Sequence, residues 1–281
     1  MRTFVNKKEI KGSKYSGSYK IFDKMWKRYN LRERKPGSLL DSYFEQLRVK
    51  ELIRLFKDRK TIINIGCGSG RWSLPFLKLG FVVTNFDISQ HALNVTKERT
   101  SHFETNYVRG NVYALPFKDN FFDIVMSFGL LEHFMDVVDP ISEMVRILKP
   151  GGLFLSDVIT KRISVQLLQE WINFFLYLLF QIVRLDFKKI RNSIWFIHKD
   201  YFENSLPDSE YLKAMETSGL TKVNITGIRC FPIVMLPFFI ERIYLPIFKL
   251  FRFLWEDFDR RNTRFSKIWG AIWELRGIKQ Q

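Results

Sequence analysis

Gly66, Gly68 and Gly70 stand in the stretch INIGCGSG, directly after the β-branched run Thr61-Ile62-Ile63 and before a helical pattern over Arg71 to Leu79. That order places them at a strand-to-helix turn, where backbone without Cβ atoms can approach a ligand at the positive end of a helix dipole. A dinucleotide fingerprint G-x-G-x-x-G needs its third glycine at position 71, and that residue is Arg71. The spacing here, G-x-G-x-G, weighs against a nicotinamide or flavin enzyme. Glycines at such a turn also serve packing alone, so the triplet does not decide by itself.

Asp87 sharpens the reading. It ends the apolar run Phe81 to Phe86, about 20 residues beyond the glycines, where an α/β nucleoside site places a carboxylate for ribose hydroxyls. Its other role would be to cap the following helix, a task that Ser89 can perform. A third group with chemistry is Leu131-Glu132-His133, after the run FFDIVMSFGL. An imidazole with an ordinary pKa near 6.5 can act as a general base, and it can equally make a structural hydrogen bond. Glu132 is open to the same two readings.

With INIGCGSG, FDIS, GNVYALPF, FFDIVMSFGLLEHF and LKPGG on view between Thr61 and Asp157, the segment resembles a class I S-adenosylmethionine-dependent methyltransferase, close to the ubiquinone and menaquinone biosynthesis branch (a methyltransferase type 11 domain). The resemblance is looser over Lys199 to Ile278. It implies S-adenosyl-L-methionine as cofactor. Gly66, Cys67, Gly68 and Gly70 would line its methionine and ribose side, and Asp87 with Ile88 would take the ribose. Asn111 and Val112 would meet the adenine, and Phe128, Gly129 and Leu130 would flank the sulfonium. His133 is the histidine that the resemblance puts beside the methyl group, hence the candidate catalytic residue. Asn64 stands where the family usually has Asp or Glu, and Asn111 where Asp is usual. Both amides keep hydrogen-bonding capacity but lose a negative charge near a cationic ligand, which bears on cofactor affinity.

The elements that must position these residues follow from periodicity. Apolar positions from Leu40 to Phe56 predict a helix over Leu39 to Phe56 leading into the first strand. Strands are expected near 61–65, 81–86, 105–109, 121–127 and 151–158, with helices near 71–79, 89–100, 136–148 and 208–218. Val223 to Arg229 reads as a sixth strand and Ile268 to Ile278 as a seventh. The expected fold is α/β: a Rossmann-like, seven-stranded, mostly parallel sheet with helices on both faces, its last strand antiparallel as in the resembled family. Residues 1–60 form a basic N-terminal flap and helix, with Tyr15 and Tyr19 as candidates to reach the site. Residues 61–281 form the methyltransferase domain, with helical insertions at about 161–198 and 231–260.

Composition bounds the rest. At 281 residues and 46% apolar, the chain can bury the core of one elaborated α/β domain. Residues 1–60 carry a net +11, residues 61–160 a net −2, and residues 161–281 a net +7, within a total of +16. The basic character therefore belongs to what surrounds the methyltransferase segment, and it favours an anionic partner unless it is simply solvated. The run WINFFLYLLFQIV (Trp171 to Val183) is apolar all round, yet 13 residues at about 1.5 Å each cannot cross a hydrocarbon core of about 30 Å. The run from Phe231 to Trp255 mixes aromatics with Arg and Lys and contains Pro232, Pro237 and Pro246, which argues for an interface or a cap, not a span. Stacking aromatics among basic residues on a strand platform, as RNA binding requires, are not visible, which makes nucleic acid a poor partner. Two cysteines suit a reducing cytoplasm, the four histidines show no metal spacing, and the N-terminus lacks a secretory pattern. The expectation is a cytoplasmic methyltransferase acting on a hydrophobic or amphipathic small molecule, lipid-linked in one version, with peripheral contact to an anionic membrane. An RNA methyltransferase and a non-catalytic binding protein on the same fold stay open as alternatives.

Overall fold

The computed structural model describes residues 18–29, 39–159, 161–185, 202–231, 234, 238–251, 253 and 263–281. Tyr15, His198, and parts of the flap and of both insertions lie outside these residues. The centre is a seven-stranded sheet of β1 (Thr61–Ile65), β2 (Val82–Asp87), β3 (Asn106–Arg109), β4 (Phe122–Phe128), β5 (Leu148–Val158), β6 (Leu220–Ile228) and β7 (Ile272–Lys279). The spatial order is β3-β2-β1-β4-β5-β7-β6. The first five strands pair in parallel, and β7 runs antiparallel to both β5 and β6. The sheet is the Rossmann-like one expected, with its antiparallel last strand.

Strands covered on both faces have no solvent side to keep polar, so they read as continuous apolar runs. Along β1 and β4, alternate residues serve opposite layers. Ile63, Ile65 and Val125 pack with Ile141, Met144 and Val145 of α5 (Val138–Arg146) and with Tyr211 and Ala214 of α7 (Asp208–Thr217). Ile62, Ile124 and Met126 pack with Leu52 and Phe56 of α2 (Leu39–Phe56) and with Phe76 and Leu77 of α3 (Ser73–Lys78). Helix α4 (Gln90–Arg99) follows β2, and α1 (Ser18–Lys27) lies against α4.

Several boundaries differ from the sequence reading: β5 and β6 each begin three residues early, at Leu148 and Leu220. The seventh strand starts at Ile272, because Arg264–Trp269 forms a helix, α9, capped by Thr263, whose hydroxyl accepts from Ser266 N at 3.1 Å. The helix in the first insertion, α6, covers Val165–Val183, beginning six residues before the apolar run and admitting Gln166, Gln169 and Glu170. In the second insertion α8 (Phe238–Leu250) continues through Pro246. The helix forfeits one backbone N–H there, and the packing of Tyr244, Leu245 and Phe248 against Leu40, Tyr43 and Leu47 of α2 offsets that loss. Among the described residues, no helix is long and apolar enough to cross a membrane.

One buried charge cluster ties the layers together. On the β5–β7 ladder Asp157 sits opposite Glu274, and Arg48 of α2 reaches both, donating to Asp157 Oδ1 at 2.7 Å. Arg276 pairs in turn with Glu274 and Glu51. Two buried carboxylates side by side would repel one another, and the shared guanidinium makes the arrangement tolerable. Burial still pushes Asp157 up to about 6, against the pull of Arg48.

Candidate functional site

The chain leaves β1 for β2 and β3 on one side and returns to β4 and β5 on the other, so a crevice opens beyond the carboxyl ends of β1 and β4. Ligands of open α/β sheets bind at such a reversal. A cavity of about 310 Å³ occupies this place.

Its floor is the glycine turn. Gly66 and Gly68 have φ of +71° and +54°, left-handed values that disfavour side chains. Gly66 N and Cys67 N donate to Phe86 O, fastening the turn to β2. Asn64 donates from Nδ2 to Ser73 Oγ at 2.8 Å and so pins the start of α3. Gly70 lies outside the cavity wall. A Cβ there would stand 2.7 Å from Thr96 Cγ2, so its bareness serves the approach of α4.

Asp87 ends β2 at one side of the cavity. Its Oδ2 accepts from Gly68 N at 3.0 Å and its Oδ1 from Ser89 N at 2.9 Å. A carboxylate has about four acceptor positions, so acceptor capacity is left for a ligand's hydroxyl. Ser89 caps α4, accepting from Ala92 N at 3.2 Å, which relieves Asp87 of that duty. Burial pushes Asp87 up to about 6.

Ile88, Val112, Phe128, Gly129 and Leu130 line the cavity as expected, as do Cys67 and Asn64. Asn111 does not; its Oδ1 accepts from Tyr113 N at 3.1 Å, building a turn that presents Val112 instead. His133 lines the cavity, with its Nδ1 2.8 Å from Phe202 O. A carbonyl only accepts, so Nδ1 carries the hydrogen and a neutral ring holds its lone pair on Nε2, as a base requires. Glu132 points away into the protein. Its Oε1 accepts from Ile159 N at 3.4 Å, and burial pushes its carboxyl up to about 8.

The roof comes from α1 and was mostly hidden in the sequence. Tyr19 lines the cavity as anticipated, and Phe22, Met25 and Trp26 join it. The Trp26 ring lies so near the turn that a Cβ on Gly68 would be 2.9 Å from it. Phe22 packs on the His133 ring at 4.6 Å between centroids, and Asp23 accepts from Ser89 Oγ at 2.6 Å. The turn of aromatic residues every three or four positions along α1 was the available signal. Arg71, the residue that breaks the dinucleotide spacing, also lines the wall and pairs with Asp41 and Glu45 of α2.

A glycine turn, a buried carboxylate at the end of the next strand and a cavity at the strand reversal define a nucleoside-binding α/β site. A family model described as a methyltransferase domain matches residues 63–156. The chain is 30% identical over 169 residues to a demethylmenaquinone methyltransferase of Staphylococcus aureus (strain JH9), covering 58% of this chain and 68% of that protein. The counterpart from Staphylococcus haemolyticus (strain JCSC1435) is 28% identical, over 58% and 69% of the two chains. Among solved structures, a SAM dependent methyltransferase from Archaeoglobus fulgidus shares the fold, with a TM-score of 0.53 at 14% identity, over 93% of this chain and 99% of that one. The chain belongs to the class I S-adenosylmethionine-dependent methyltransferases and resembles their quinone-biosynthesis branch. It is an enzyme, and S-adenosylmethionine is its cofactor. The residues present suit that group: the bare turn admits it, and Asp87 keeps acceptor capacity at the cavity edge.

Proposed function

We propose that the enzyme methylates a hydrophobic or amphipathic, lipid-linked small molecule at the cytoplasmic face of an anionic membrane. The observation that carries this reading is the cavity wall: Phe22, Trp26, Trp72, Phe128, Leu130 and Phe134 surround the space beyond the glycine turn. Such a wall favours an apolar acceptor and excludes water from the reaction. The demethylmenaquinone methyltransferases among the relatives support the same class of acceptor.

In this reading Gly66, Cys67 and Gly68 receive the methionine and ribose side of the cofactor, and Asp87 with Ile88 holds the ribose. Val112 meets the adenine, and Phe128, Gly129 and Leu130 flank the methyl group. Asn64 lines the cofactor's side of the cavity while pinning α3, Gly70 braces the turn from behind, and Asn111 shapes the adenine wall. The sulfonium supplies an already activated methyl group, so the protein contributes alignment and water exclusion. His133 takes the acceptor's proton at Nε2. Residues 1–60 act as a flap and helix over the methyltransferase domain of 61–281, with the insertions at about 161–198 and 231–260 serving the acceptor. The test supplies methyl-labelled cofactor with prenylated quinols in detergent and, separately, with RNA oligomers. Label in the organic-extractable product is expected; label in RNA, or none in any apolar acceptor, would overturn the reading.

A further inference from the structure

Helix α6 is built inside out. Leu168, Trp171, Phe175, Leu179 and Ile182 recur at three- and four-residue spacing as an exposed stripe, with Phe175 60% exposed, and Tyr177 and Phe180 are exposed beside it, whereas Gln169 and Gln181 are buried. Helix α8 repeats the pattern. One face packs on α2, while Ile240, Ile243, Ile247 and Leu250 form an exposed stripe, with Ile243 71% exposed. Both helices issue from the carboxyl edge of the sheet, α6 after β5 and α8 after β6, and this is the edge where the cavity lies. They root at one corner: Arg229, at the end of β6, donates to Gln166 of α6 at 2.9 Å, and Phe231 packs on Phe248 of α8.

We propose that these two stripes form one docking face for an anionic lipid bilayer, seating the cavity's edge of the enzyme on the membrane. Charge selects this occupant. The chain carries +16, so a second copy would bring like charge to the same face, whereas acidic headgroups complement it. Residues 161–281, which carry both helices, hold a net +7, and Arg184 follows the last turn of α6. Exposed aromatic and aliphatic stripes on helices too short or too polar to cross suit a position in the interface plane, not a span. The inference rests on the lipid-linked acceptor proposed above, because such a substrate must be collected from a bilayer.

Flotation of the full chain tests it, using vesicles of phosphatidylcholine alone and of phosphatidylcholine with about a third phosphatidylglycerol. The protein should float with the acidic vesicles and much less with the neutral ones. A variant combining Trp171→Gln, Phe175→Gln, Ile243→Gln and Ile247→Gln should lose roughly tenfold or more in vesicle affinity, with its cofactor affinity unchanged. Should the combined variant fail to fold, Phe175→Gln and Ile243→Gln alone should each weaken flotation. Failure of the parent chain to float, or equal flotation of folded variants, would overturn the docking face. So would a dimer, seen by light scattering, that the variants dissolve. Loss of cofactor binding in the parent chain would instead strike the reading of the site, and calorimetry separates the two.

Discussion

Glu132 and Asp87 show how one functional group, the carboxyl, takes different duties in one fold. Glu132 is 3% exposed, and its Oε2 has no hydrogen-bond partner among the described residues, so burial holds it protonated up to about pH 8. In the unfolded chain it ionises near 4.5. Between these values folding takes up a proton, so this residue's contribution to stability falls as pH rises. Glu132→Gln removes that dependence. Its thermal midpoint should exceed that of the parent by about 2–4 °C at pH 8, and the gain should vanish near pH 5. An equal offset at both pH values would show that Glu132 does not titrate in the fold. Asp87 is buried as well, but two backbone N–H groups hold it at the cavity edge, where further donors can reach it. Its place was legible in the sequence because strand, turn and carboxylate are local and their spacing is fixed. His133 was legible through the family resemblance, whereas the Phe202 carbonyl that sets its tautomer lies 69 residues away in the chain.

At the scale of elements, α1 and α2 hold the site from outside the sheet. Helix α1 was only partly legible as a roof: the flap and Tyr19 were anticipated and the aromatic spacing was on view, but packing across the molecule decides that Phe22, Met25 and Trp26 meet the glycine turn. Trp26→Ala should weaken cofactor binding by about 1–2 kcal/mol, the value of a partly buried aromatic side chain, with little change in thermal midpoint. Calorimetry with S-adenosylmethionine measures it, and an unaltered affinity would remove α1 from the site. Helix α2 was anticipated from its apolar period, but Arg48 was not, because its partner Asp157 is 109 residues away. Arg48→Met would leave Asp157 and Glu274 buried without their shared cation, at a cost of about 3–5 kcal/mol at pH 8. Protonation of Asp157, already raised to about 6, should return part of that loss as pH falls to 5. Denaturant melts at the two pH values check both statements. A loss independent of pH would mean that the cluster does not bear the charge.

At the scale of the whole molecule, a near-neutral methyltransferase segment sits between basic surroundings, and the division follows function. The sheet order puts the cavity at the reversal between β1 and β4, and in the proposed function the helices added after β5 and β6 serve the acceptor. The centre of the sheet could be read from the sequence because β1, β4 and β5 are largely buried and rich in apolar residues. The insertions could not, because the same apolar run suits a substrate lid or a membrane contact. All of this depends on the cofactor's ribose resting on Asp87 at the strand reversal. Isothermal titration of S-adenosylmethionine into the parent protein and into Asp87→Ala tests that most directly. Saturable binding by the parent, weakened by roughly 1.5–3 kcal/mol in the variant, is the expected result for the loss of a charged hydrogen bond. Equal affinity in the two proteins would contradict it.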